Sequence, residues 1–201
     1  MDKHDEGTTK EKILRTAAKM FSERGYDKVT TREIAKAVGI NAASIYYYFP
    51  SKEDILKSLY SFYSEQRQSE APDLDELLRL AETAPPHQVL IKSEYHYNLE
   101  MMEMLDQILT TAARRLGGDV LSERFIQENI FDSIRNILKP LLEHMAALGK
   151  IKPFDIELFL NVLSYYCFSA AALNNSPFGQ GVAEYQSAMS YIFSFVPFAK
   201  Q

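Results

Sequence analysis

The chain is expected to be all-α: a helix-turn-helix unit at the N-terminus, then a larger helical domain, about nine helices in total. Three observations predict this. A hydroxyl residue followed three positions later by a carboxylate occurs at Thr8/Glu11, Thr30/Glu33 and Ser51/Asp54, each ahead of apolar residues at helical spacing. A Gly39-Ile40-Asn41 turn separates two short apolar-striped segments. No segment alternates convincingly with the period of a strand.

The first helix follows Thr8 and carries Ile13, Ala17, Met20 and Phe21 on one face. Gly25 ends it, because glycine takes the positive φ of a helix C-terminus without penalty. The second opens at Thr30/Glu33, buries Ile34, Ala35 and Val38, and ends at Gly39. Asn41 caps the third, whose Ile45 and Phe49 face inward while Ala42, Ala43, Tyr46 and Tyr47 face outward. Pro50 closes it. Ser51 starts a longer helix through Ile55, Leu56 and Leu59 towards Gln68. The expected core is Ile13, Ala17, Phe21, Val29, Ile34, Val38, Ile40, Ile45 and Phe49.

Two helices joined by a short glycine-containing turn form the unit that lays its second helix in the DNA major groove. The chemistry of DNA contact then assigns roles. Thr31 and Tyr46 offer hydroxyls to phosphate oxygens, and Arg32, with Lys36, adds charge on the polar side of the second helix. Lys52 stands at a helix start, where a cation and backbone N–H groups suit a phosphate. Tyr47 packs on a thymine methyl or a sugar, and Ser44 reaches a base edge or bonds its own helix. The alternative is that Tyr46, Tyr47 and Tyr48 seal the small core, which for Tyr48 weighs as much as contact.

These residues carry a resemblance. Phe21, Gly25-Tyr26, Thr30-Thr31-Arg32, Ala35 to Gly39 and the run Ile45-Tyr46-Tyr47-Tyr48-Phe49-Pro50-Ser51-Lys52-Glu53 are similar to the DNA-binding domain of TetR/AcrR transcriptional regulators. The similarity covers residues 9 to 57. One departure stands out. Family members often hold a polar or basic residue and a glycine just after the cap, where this chain has Ala42 and Ala43. That favours methyl contact with thymine over hydrogen-bonded readout.

Charge agrees with this placement. Residues 1 to 60 hold 11 Lys+Arg against 9 Asp+Glu, a net of +2, and residues 61 to 201 hold 11 against 18, a net of −7, together the −5 of the chain. The mildly basic surface lies where the motif is. The single Cys167 excludes an intrachain disulfide framework and fits a buried, inert thiol. No long uncharged apolar run and no leader-like N-terminus are present, so no membrane partner is expected and the expected location is the cytoplasm.

The division expected is a DNA-binding domain over residues 1–57 and a helical domain over 58–201, joined by the helix from Ser51 without a flexible linker. Further helices are predicted over Leu74–Ala84, over Gln88–Arg115 as one long helix ended by Gly117-Gly118, and from Ser122 through Leu138 with Pro140 interrupting or restarting it before Gly149. Asp155–Asn174 and Glu184–Val196 follow, separated by a loop with Gly179 and Gly181.

The resemblance implies that the last two helices pair with a second copy, which nominates Phe159, Leu163, Tyr166, Ile192 and Phe193 as dimer contacts. It also implies a small-molecule effector site in the second domain. Tyr95, Met102, Phe131 and Tyr165, from a methionine-rich aromatic cluster, are the candidates, against the reading that they are ordinary core. His96 and His144 are possible polar handles. His96 and Glu100, with Glu103 near, lack a second histidine at ligand spacing, so no metal or cofactor is expected. No phosphate loop, paired-histidine motif or nucleophile pattern points to an enzyme. The expected protein is therefore a dimeric, effector-responsive repressor that binds an inverted-repeat DNA operator. A second reading keeps the DNA-binding domain and gives the C-terminal domain a protein partner.

Overall fold

The computed structural model describes residues 8–94, 99–173, 188–189 and 191–199, with side chains described there except at 99–102 and 170–173. The first helix, α1 (Thr9–Arg24), begins in a complete capping box: the Thr8 hydroxyl accepts from the Glu11 N–H, and the Glu11 carboxylate accepts from the Thr8 N–H. Gly25, at φ 86°, ends it and leads into a single 3₁₀ turn over Tyr26–Lys28 that the sequence pattern did not reveal. Then come α2 (Thr31–Val38), α3 (Ala42–Tyr48) and α4 (Lys52–Ser69). The remaining elements are α5 (Leu74–Thr83), α6 (Pro86–Lys92), α7 (Leu99–Ala113), α8 (Val120–Ile126), a π-helical segment (Gln127–Asp132), α9 (Ser133–Ala147) and α10 (Ile156–Leu173). Among the described residues there is no strand, only one isolated bridge between Ile151 and Phe198. The all-α expectation holds.

Three helical expectations need correction. The long helix from Gln88 is divided after Lys92. There the buried Ser93 hydroxyl donates to Leu90 O at 2.7 Å, a local bond that competes with helix continuation. Pro140 does not interrupt its helix but lies inside α9. A mid-helix proline costs about 3 kcal/mol. Burial of Leu138, Leu141, Leu142 and Met145 on the same helix offsets that cost. The irregularity sits earlier, in the π-helical segment. Of the expected Glu184–Val196 helix, the described residues 188–189 and 191–193 are helical, a turn follows at Ser194, and the rest lies outside the described residues, as does the loop with Gly179 and Gly181.

Side chains pack into two cores. The first unites Ile13, Phe21, Ile34 and Ile45 of the N-terminal helices with Leu56 and Leu59 of α4, Ile108 of α7 and Phe125 of α8. The second gathers Leu77 of α5, Leu90 of α6, Leu141 and Met145 of α9, Leu160 of α10 and Phe193. Ile134 and the half-buried Cys167 touch both. The expected boundary at 57/58 falls inside α4, and α7 and α8 share a core with the DNA-binding helices.

Candidate nucleic-acid interface

The start of α2 is held by two charges and a cap. Glu33 accepts from the Thr30 N–H at 2.8 Å while the Thr30 hydroxyl accepts from the Glu33 N–H at 3.2 Å. Arg24 reaches the same carboxylate at 2.6 Å. Arg24 first, then Thr30, pulls the Glu33 carboxyl from 4.5 to about 2. At the other end Gly39 adopts φ 80°, the left-handed conformation that lets the chain leave the helix, and its N–H bonds Ala35 O and Lys36 O. Ile40 N–H also bonds Ala35 O, at 2.9 Å. Asn41 Oδ1 then accepts from the Ala43 N–H at 2.8 Å and starts α3.

Alpha-helix α3 buries Ile45 and turns Ala43, Ser44, Tyr46 and Tyr47 outward, with Ala42 half-buried. Tyr47, at 85%, is the most exposed large hydrophobic side chain among the described residues, and Tyr46 is 49% exposed. The Tyr47 ring meets Tyr48 edge-on at 5.1 Å between centroids, so it is oriented although exposed. The Tyr46 hydroxyl and Thr31 Oγ1 are 3.0 Å apart, which brings two of the expected phosphate contacts together across the turn. Arg32 is exposed on α2.

Lys52 stands at the start of α4, as expected, with its ammonium directed at the turn before α2. Its ammonium donates to Tyr26 O and Val29 O, at 3.0 Å each, and stands 4.1 Å from the Tyr26 ring centroid. Burial lowers its pKa. Two of its three N–H bonds are thus spent on carbonyls of the turn before α2, and the residue ties α4 to that turn. Tyr26 O also accepts from the Val29 N–H at 3.2 Å, so the ammonium takes a second bond to that oxygen.

The same Tyr26 ring receives a second cation from the turn between α7 and α8. The Arg115 guanidinium lies 4.1 Å from its centroid, 3.6 Å from the Asp27 carboxylate and 3.0 Å from Asp119. Arg114 donates to Ser22 O. Burial pushes the Asp119 carboxyl up, but hydrogen bonds from Ser122 and Arg115 bring it below its usual range. Ser122 also meets the Tyr60 hydroxyl at 2.7 Å, whose pKa burial raises to about 12. From sequence, Tyr26 stands out only within the family resemblance, and Arg114, Arg115 and Asp119 have no functional role assigned. The one signal was a pair of arginines in the last turn before Gly117-Gly118, a common pattern at any helix end.

Of the expected effector residues, Tyr95 lies outside the described residues and so does the Met102 side chain. Phe131, in the π-helical segment, and Tyr165 of α10 meet edge-on at 5.3 Å, with Phe168 at 6.4 Å from Phe131. Of the expected dimer contacts, Phe159, Leu163 and Phe193 are buried in the chain's own second core, and Tyr166 and Ile192 pack half-buried against it. Among the described residues, the large apolar side chains of α10 that face outward are Leu158, Val162 and Tyr165, joined by Tyr191 and Phe195 near the C-terminus. Helix α10 is apolar nearly all round, so periodicity left its outer face undetermined.

Residues 13–59 match the family model described as "Bacterial regulatory proteins, tetR family". The N-terminal helix-turn-helix unit is a tetR-family domain. Over 46 residues, 23% of this chain and 25% of the relative, it is 52% identical to the biofilm operon icaADBC HTH-type negative transcriptional regulator IcaR of Staphylococcus aureus (strain Newman). Over 54 residues, 27% of this chain and 19% of the relative, it is 43% identical to the uncharacterized HTH-type transcriptional regulator YuxN of Bacillus subtilis (strain 168). The chain thus spans about a quarter or less of the length of these curated relatives. Beyond the tetR-family domain the likeness is one of fold. The ketosteroid transcriptional regulator KstR2 of Mycobacterium tuberculosis superposes with a TM-score of 0.59 at 21% identity, covering 97% of this chain and 98% of that one. A putative transcriptional regulator from Saccharomonospora viridis in complex with choline gives 0.63 at 18% identity, covering 95% and 98%. These similar proteins are transcriptional regulators. Among the described residues no helix is long and apolar enough to cross a membrane, and no three His, Cys, Asp or Glu side chains cluster as a metal site would require.

Proposed function

We propose that this chain is a dimeric transcriptional repressor that binds an inverted-repeat operator and releases it on binding a small, largely apolar effector. The observation that carries the DNA-binding part is the outward face of α3. A tetR-family domain buries Ile45 and offers Ser44, Tyr46 and Tyr47 to a partner, with Thr31 beside Tyr46 and Arg32 on α2. Thr31, Arg32 and Tyr46 serve the phosphates, and Ala42, Ala43, Ser44 and Tyr47 the groove. Lys52 keeps one N–H for a phosphate while its other two hold Tyr26 O and Val29 O.

Repression rather than activation is supported by IcaR, a negative regulator half identical to this domain. Dimerisation is supported by the outward apolar stripe of Leu158, Val162 and Tyr165, spaced four and three apart on α10. Charged and polar side chains run beside it: Arg135 and Lys139 of α9 pair with Glu157, and Arg135 reaches Asn161 at 2.9 Å. An apolar stripe with a polar edge fits a second copy of the same face about a two-fold axis. The effector region is supported by the π-helical segment that presents Phe131 to Tyr165, since such segments concentrate at functional sites. The functional boundary stays near residues 57/58, within α4, because that helix belongs to the DNA-binding core and continues beyond it.

A gel shift on the DNA flanking the protein's own gene, with sedimentation of the protein alone, tests this reading. A discrete dimer complex, weakened in Tyr46→Phe and Arg32→Ala, is the expected result. A dimer that retards no DNA, or a monomer that binds fully, would overturn it. A dimer that binds DNA but responds to no apolar small molecule would favour a protein partner for the C-terminal domain.

A further inference from the structure

The groove-facing half of a recognition helix ordinarily reads bases with bidentate side chains: Arg or Lys for guanine, Asn or Gln for adenine, Asp or Glu for cytosine. From Ala42 to Tyr48, α3 holds none of these. Asn41 lies just before it, yet its Oδ1 already accepts from the Ala43 N–H at 2.8 Å, which holds its carboxamide to the helix start. The Tyr46 hydroxyl is 3.0 Å from Thr31. Ser44 can bond any base and so discriminates little. What remains outward is apolar: the exposed Ala43 methyl and, four residues on and on the same face, the Tyr47 ring at 85% exposure, held edge-on by Tyr48. Ala42 and Ala43 are also short, so the helix can approach the groove floor closely. The one apolar group a base pair displays in the major groove is the C5-methyl of thymine.

Resting on the DNA-binding reading above, we propose that α3 reads its half-site through thymine C5-methyl groups seated against Ala43 and the Tyr47 ring, not through hydrogen bonds to base edges. Specificity then comes from methyl burial, with phosphate contacts setting the register. Each operator half-site carries a thymine opposite the first turn of α3.

The test replaces dT by dU, which deletes that methyl and leaves every base-edge hydrogen bond in place. An operator is first selected from randomised duplexes with the full-length protein. Replacing the critical thymine is expected to weaken binding about fourfold per half-site, and roughly 15-fold when both half-sites are changed, the worth of one buried methyl at each. Tyr47→Ala, at a side chain too exposed to support the core, or Ala43→Gly should abolish the difference between dT and dU. Tyr47→Phe, which keeps the ring, should retain it. An enriched operator bound equally well with dU at every position would overturn methyl readout while leaving operator binding intact. Failure to enrich any sequence would overturn the operator-binding reading itself, and this inference with it.

Discussion

The two hydrophobic cores do different work. The first seats the DNA-binding helices and also takes in Ile108 of α7 and Phe125 of α8. The second contains no residue before Leu77 and closes α5, α6, α9, α10 and the C-terminal turn on each other. A change in α7 is therefore felt directly by the DNA-binding helices, whereas a change in α9 reaches them only through Ile134, Cys167 and the helices that join the cores. Shared packing and shared sequence boundaries are separate things: α7 is far from α1 in sequence yet packs on it. Coupling between an effector and an operator needs such a shared element, with two arrangements that both ligands bias.

The sharpest way to break this comparison is a matched pair of truncations. Ile108→Ala and Leu141→Ala each remove a side chain with no exposure and should each cost about 3 kcal/mol in thermal or denaturant unfolding. Only Ile108→Ala should also weaken operator binding, measured at a temperature where both variants are folded. Equal losses of binding would erase the distinction between the cores.

Next in size is the outward face of the second core. Leu158→Asp with Val162→Asp places charge on the exposed stripe and leaves the core untouched. Sedimentation should report a monomer with an unchanged unfolding midpoint, and operator affinity should fall on the order of 100-fold as the two half-sites lose their linkage. A variant that stays dimeric would move the interface elsewhere.

A smaller effect probes the contact between Tyr26 and the turn that follows α7. Arg115→Ala removes the guanidinium from the Tyr26 ring and from Asp119. It should cost about 1 kcal/mol in stability. It should also lower operator affinity, because the turn that seats Lys52 loses its support from the segment after α7. Arg115→Lys should restore part of the binding, keeping a cation near the ring without the bidentate fork. Full binding by Arg115→Ala would show that this contact only stabilises the fold.

The smallest effect is confined to the DNA-binding domain. The Glu33 carboxyl ionises at about 2 in the folded chain against 4.5 for an ordinary glutamate. A lowered carboxylate pKa stabilises the fold above the unfolded value, and that contribution disappears as pH falls from 4.5 to about 2. Glu33→Gln should flatten the fall of the unfolding midpoint across that window. An unchanged profile would show that Arg24 and Thr30 do not favour the charged form in solution.

Much of the DNA-binding unit was legible because its signals are short-range. The capping boxes at Thr8/Glu11 and Thr30/Glu33, the cap at Ser51, the left-handed Gly39 and the Asn41 cap all act within a few residues. Most of its predicted core is buried, and Val38 and Ile40 are only partly so. The break at Ser93 and the continuous helix through Pro140 were not legible, since each depends on how strongly the neighbouring turns are packed.

The sequence by itself determined the all-α class, the position of the turn, and that Ala43, Tyr46 and Tyr47 of α3 face away from their own core, whereas Ala42 is half-buried. Local hydrogen bonding and a 3.6-residue period are sufficient for those. Only the tertiary structure decided that Lys52 holds the Tyr26 turn, that Arg115 meets Tyr26, and that α10 buries Phe159 and Leu163 while showing Leu158 and Val162. Tyr26 and Arg115 are distant in the chain, and a helix apolar on every side has no preferred face until its neighbours are in place.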